Sequence, residues 1–139
     1  MASYGGLTAA LTLLLRRERF RVRPLSPWNF LLYALAAEHL SRLISKDSVT
    51  SAVRKPFTEF KGPAGEGEVN EEVIGSGPRH AIGELLTCPF CLDQWVTTGL
   101  VAGSVAAPTI TTAIVSVSAL ARAADYLHLL YGLLRERVD

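Results

Sequence analysis

At 139 residues and 15.0 kDa the chain is long enough for one domain and too short for two comfortable ones. Apolar residues make up 49% and charged residues only 19%, with a mean hydropathy of +0.26, which argues against a disordered chain and for a membrane protein. A net charge of +1 leaves no electrostatic footprint for nucleic acid, and two cysteines exclude the disulfide framework of a small secreted domain. The first fifteen residues carry no charge, and then Arg16, Arg17, Arg19, Arg21 and Arg23 arrive together. A secretory signal has the opposite order, and the apolar run Leu7 to Leu15 is too short to cross about 30 Å of hydrocarbon. The expectation over residues 1–24 is an interfacial helix with its arginines at headgroup level.

Ser26 and Pro27 read as a helix cap followed by proline at the first helical position, which opens an apolar segment over residues 28–45. Trp28 suits an interface, and Glu38, His39 and Arg42 interrupt the segment. Residues 46–84 change character and read as a soluble loop. Within it, Val49, Ala52, Val53, Phe57 and Phe60 predict a short amphipathic helix over Ser48–Phe60, lying along the membrane and bent or ended by Pro56. The glycines, prolines and glutamates of residues 62–78 predict a mobile acidic segment.

Two further apolar segments, residues 90–107 and 109–134, are separated by Pro108 and read as an antiparallel helical hairpin. The expected fold is therefore all-α: one small integral-membrane helical bundle of about three spans, multi-pass in a cell membrane. With three spans, the loop and the C-terminus share one side and hold seven Lys and Arg. The N-terminal tail holds five, so the positive-inside rule favours a cytoplasmic loop.

Three features carry chemistry. Cys88-Pro89-Phe90-Cys91 places two thiols close enough for a disulfide, a redox couple, half a metal site or simple packing. If a helix begins near Pro89, its dipole favours a thiolate at Cys88. Zinc would need four ligands; the chain offers Cys88, Cys91 and His80, with a last one from His39 or another subunit. Among the ionisable residues inside apolar segments, Glu38 and Arg42 are four apart, and Arg122 and Asp125 three apart. Each couple can pair on one helical face, and His128 continues the second face. Pairing fixes how short helices pack, which suits a chain too small for a transport path. Gly99 and Gly103 form a G-x-x-x-G step that lets helix backbones approach closely, across the hairpin or in a homo-oligomer.

From Ala34 to the third apolar segment the chain resembles the bacterial membrane-protein family called domain of unknown function 1360. The resemblance rests on Glu38-His39-Leu40-Ser41-Arg42-Leu43-Ile44-Ser45-Lys46-Asp47, on Arg54-Lys55-Pro56-Phe57, and on Gly83-Glu84-Leu85-Leu86-Thr87-Cys88-Pro89-Phe90-Cys91 followed by Trp95. It implies that Arg42, Asp47, Arg54, Glu84, Cys88, Cys91 and Trp95 are the positions to watch, and it brings no activity with it. No phosphate loop, HExxH or Ser/His/Asp arrangement at elbow spacing is present. The expected function is a non-enzymatic membrane scaffold or assembly component, whose partners are the lipid bilayer, further copies or other membrane proteins. The alternative is a membrane-bound thiol protein using the cysteine pair for redox or zinc chemistry.

Overall fold

The computed structural model describes residues 5, 6, 8–10, 13 and 25–138. Most of the arginine-rich tail expected at an interface lies outside these residues; those described before residue 14 are helical. In chain order the elements are helices α1 (Pro27–Ser45) and α2 (Ser51–Arg54), strands β1 (Thr58–Pro63) and β2 (Val69–Val73), then helices α3 (Pro78–Thr87), α4 (Pro89–Ala106) and α5 (Pro108–Glu136). Helices α1, α3, α4 and α5 each begin on a proline, whose fixed φ suits a first helical position where no N–H partner is needed. Ser26 caps α1, its Oγ accepting the Asn29 N–H at 3.2 Å.

The chain divides into two compact units, residues 37–96 and the remainder. In the first, β1 and β2 form an antiparallel hairpin in which Thr58 faces Val73 and Phe60 faces Glu71. Lys61 is the extra residue of a bulge, because Phe60 and Gly62 oppose the adjacent Glu71 and Asn70. Helix α3 packs on this hairpin at Gly83, where an added Cβ would lie 2.5 Å from Val73 Cγ1 and 3.1 Å from the Phe57 carbonyl oxygen.

The sheet corrects the all-α expectation. The helix foreseen over Ser48–Phe60 is only four residues long; Pro56 follows it, and Phe57 N–H closes a turn on the Arg54 carbonyl at 2.8 Å. Beyond that turn the alternation of Thr58 and Phe60 with charged residues serves a strand. Val49, Val53 and Phe60 are exposed, but they lie on a loop, a helical turn and a strand, so no single amphipathic helix presents them. The acidic stretch foreseen as mobile contains β2, whose Val69, Glu71 and Val73 share one face.

The other unit is inside out for a protein in water. On α5 the buried residues are Thr111, Val115, Ser118 and Ala119, a stripe at helical spacing made mostly of small side chains. Ile110, Ile114, Val117, Leu120, Leu127 and Leu130 face outward. The start of α1 likewise exposes Trp28, Phe30 and Leu31. Gly103 on α4 meets the α5 side chain Thr111, whose Oγ1 would lie 2.6 Å from an added Cβ, whereas Gly99 faces open space. At about 1.5 Å per residue the 29 residues of α5 reach roughly 43 Å, more than the hydrocarbon of a bilayer. Among the described residues it is the one helix both long and apolar enough to cross a membrane. Of the three spans expected, one is met among the described residues; α1 carries Glu38, His39 and Arg42 inside its apolar stretch, and α4 carries Asp93 near its start.

Candidate functional site

Two groups of motif residues are assembled in the unit of residues 37–96. The first centres on Arg54, which is 0% exposed and has the largest side chain among the fully buried residues. Its Nε donates to Glu71 Oε2 at 2.6 Å, Nη1 donates to the Ile44 carbonyl and to Thr50 Oγ1, each at 2.6 Å, and Nη2 donates to the Asp47 carbonyl at 2.9 Å. Four acceptors around one planar fork leave the guanidinium little freedom. The Glu71 carboxylate is held in turn by hydroxyl donors, Ser51 Oγ to Oε1 and Thr58 Oγ1 to Oε2 at 3.2 Å. Burial pushes this carboxyl up, but the Arg54 and Ser51 hydrogen bonds, the Arg54 charge and the Thr58 hydroxyl outweigh it. The net effect holds Glu71 below the usual glutamate value.

The motif residues around this pair are explained by the same geometry. Asp47 Oδ1 accepts the Val49 N–H at 2.8 Å, a side-chain turn that redirects the chain out of α1. Its own carbonyl then meets Arg54. Arg42 Nε donates to Glu68 Oε1 at 3.0 Å, with Nη2 on the same oxygen, while Glu38 stands at 4.0 Å. Arg42 thus reaches Glu68 across the chain as well as Glu38 one turn away. Backbone bonds from Ser48 N–H to Gly67 and from Val69 N–H to Lys46, both 2.9 Å, tie the end of α1 to the start of β2. Arg79 makes the last clamp, donating twice to the Pro56 carbonyl at 2.9 and 2.6 Å.

The second group is the cysteine motif. Cys88 is the extended residue between α3 and α4, and it stands immediately before Pro89, the first residue of α4. Its carbonyl accepts the N–H groups of Cys91 and Leu92, both at 3.1 Å, and its Sγ accepts the Cys91 N–H at 3.2 Å. Cys88 is half-buried, Cys91 is exposed, and the two form a disulfide with Cα atoms 5.3 Å apart. His80 Nε2 lies 3.4 Å from Glu84 Oε1, so these two face each other one turn apart on α3. Among the described residues no group of three or more His, Cys, Asp or Glu is gathered as a metal cage. Trp95 lies half-buried on α4.

In the other unit Arg122 and Asp125 pair at 3.3 Å on α5, with the guanidinium 5.6 Å from the Tyr126 ring centroid. The sequence motifs single out Arg54 and Arg42 but not their partners Glu71 and Glu68, nor Thr50, Ser51, Thr58 and Arg79. Only the strand register would reveal Glu71, since an inward glutamate between two valines mimics a solvent-facing residue.

These features define the class: a mainly helical protein with, among the described residues, one helix long and apolar enough to cross a membrane, and a short hairpin locked by a buried ion pair. The family described as "Protein of unknown function (DUF1360)" matches residues 32–131, and the chain belongs to it. The UPF0713 protein YngL of Bacillus subtilis (strain 168) is 28% identical over 116 residues, which cover 83% of this chain and 87% of that relative. No solved structure matches.

Proposed function

We propose that the protein is a membrane-anchored scaffold or assembly component, with α5 as its anchor and residues 37–96 as a rigid unit for contacts with other membrane proteins. The observation that carries this reading is the inverted burial of α5. Small and hydroxyl residues face inward while isoleucine, valine and leucine face outward. In water a long row of large exposed apolar side chains is unusual for a soluble monomer and marks an interaction surface. In lipid it is the expected pattern, because helices there associate through small residues and leave large apolar ones to the acyl chains. Arg122 fits the same setting, being paired with Asp125 and stacked near Tyr126.

The test is fractionation of cells expressing the full chain. Resistance to carbonate washing, with release only by detergent, supports the anchor. Recovery in the wash without detergent overturns it and leaves a water-soluble helical protein.

A further inference from the structure

We propose that Cys88 and Cys91 form a thiol–disulfide exchange site that accepts two electrons from a protein dithiol. The inference is independent of the scaffold reading. It rests on the cysteine pair itself, on its closure as a disulfide, and on the unequal exposure and helix position of the two residues.

Cys88 occupies the position immediately before an 18-residue helix, where the helix dipole favours negative charge. Its sulfur already accepts the Cys91 N–H at 3.2 Å. A thiolate formed there is stabilised, which makes Cys88 the better leaving group. Cys91 is one turn into the helix and exposed, so an incoming thiolate reaches it first. Access and leaving-group stability therefore select the same reaction direction.

A thiolate of the substrate attacks Cys91 Sγ. A bond forms between those two sulfurs, the Cys88–Cys91 bond breaks, and Cys88 leaves as thiolate with the electron pair. The second substrate thiolate then attacks the substrate sulfur of the mixed disulfide. This closes the substrate disulfide and releases Cys91, which takes up a proton. The substrate dithiol is oxidised by two electrons and the cysteine pair reduced by two. Of the two protons lost by the substrate, one goes to Cys91 and the other to solvent while Cys88 remains a thiolate.

The test uses the full chain in detergent micelles with reduced glutathione as the probe thiol. An alkylating quench followed by fragment mass analysis should find glutathione on Cys91 and the alkyl group on Cys88. Glutathione on Cys88 instead would overturn the assigned order. In a second measurement the reduced protein is alkylated at pH 6.5. An ordinary thiol, with a pKa near 8.5, is only about 1% thiolate there. Cys88 in Cys91→Ser should react at least about fivefold faster than Cys91 in Cys88→Ser. If either variant fails to fold, the order of modification in the reduced wild type reads the same difference. Absence of any glutathione adduct, together with ordinary alkylation rates at both positions, would show the disulfide to be a structural staple and sink the proposal.

Discussion

With its guanidinium wholly out of water, Arg54 depends on Glu71 for charge balance and on three other oxygens for its remaining contacts. Removing one member of such a pair leaves an uncompensated buried charge, which typically costs about 3–5 kcal/mol, whereas replacing both by apolar residues is often neutral. Glu71→Gln keeps the shape and loses the charge, so it should destabilise the residue 37–96 unit by an amount in that range. The double variant Arg54→Met with Glu71→Leu should recover most of the loss. Urea unfolding at pH 7, followed by a probe on the hairpin, measures both. The pH dependence follows from the direction of the shift. Because the folded carboxyl titrates below its unfolded value near 4.5, its contribution is complete above that value and fades as pH falls through the folded one. Glu71→Gln should lack this acid-side loss. An unchanged acid limb would mean that Glu71 is not the group responsible.

At the scale of elements, glycine positions separate contacts that must be close from those that need not be. Gly83→Ala would drive a Cβ into Val73 and toward the Phe57 carbonyl, so α3 should shift off the hairpin at a cost of about 1–3 kcal/mol. On α4 the two glycines of the G-x-x-x-G step should behave oppositely. Gly103→Ala meets Thr111 and destabilises, with rescue by Thr111→Ala; Gly99→Ala meets nothing and gains up to about 1 kcal/mol of helix propensity. Thermal unfolding of the detergent-solubilised chain ranks the variants, and equal losses at Gly99 and Gly103 would contradict the contact pattern. The helix starts at Pro27 and Pro89 were legible in the sequence because proline marks a helical first turn locally, whereas Pro108, which reads as a turn, is the first residue of α5. The hairpin was not legible. Its inward residues include a glutamate and a threonine, and its stability comes from Arg54 and Arg42, whose partners lie 17 and 26 residues away in sequence. A buried polar network breaks the apolar alternation by which strands are recognised, so both the sheet and half of the ion-pair site stayed hidden. The cysteine motif was visible as a pair three residues apart, while packing, metal binding, a redox couple and a disulfide all stayed open for it in the sequence.

For the molecule as a whole, the two units rest on different physics and should respond to different perturbations. The residue 37–96 unit is tied by a buried carboxylate that acid neutralises, whereas on the proposed reading α5 would be held by apolar area that acid leaves untouched. In reconstituted vesicles, lowering the pH to about 3 should therefore speed amide exchange in Thr58–Pro63 and Val69–Val73 while the chain stays with the lipid. Leu120→Asp should do the converse. It places a carboxylate on the outward face of α5, at a cost of about 2.5–3.5 kcal/mol on insertion scales, which lowers the inserted fraction by roughly a hundredfold relative to the uninserted one. Hairpin exchange at pH 7 should be unchanged in that variant, because Arg54, Glu71 and their hydroxyl partners all lie between residues 44 and 71. Hydrogen exchange and flotation measured on the same samples separate the two effects. Acid release of the wild type from the vesicles, or Leu120→Asp floating like the wild type, would show that α5 is not the anchor.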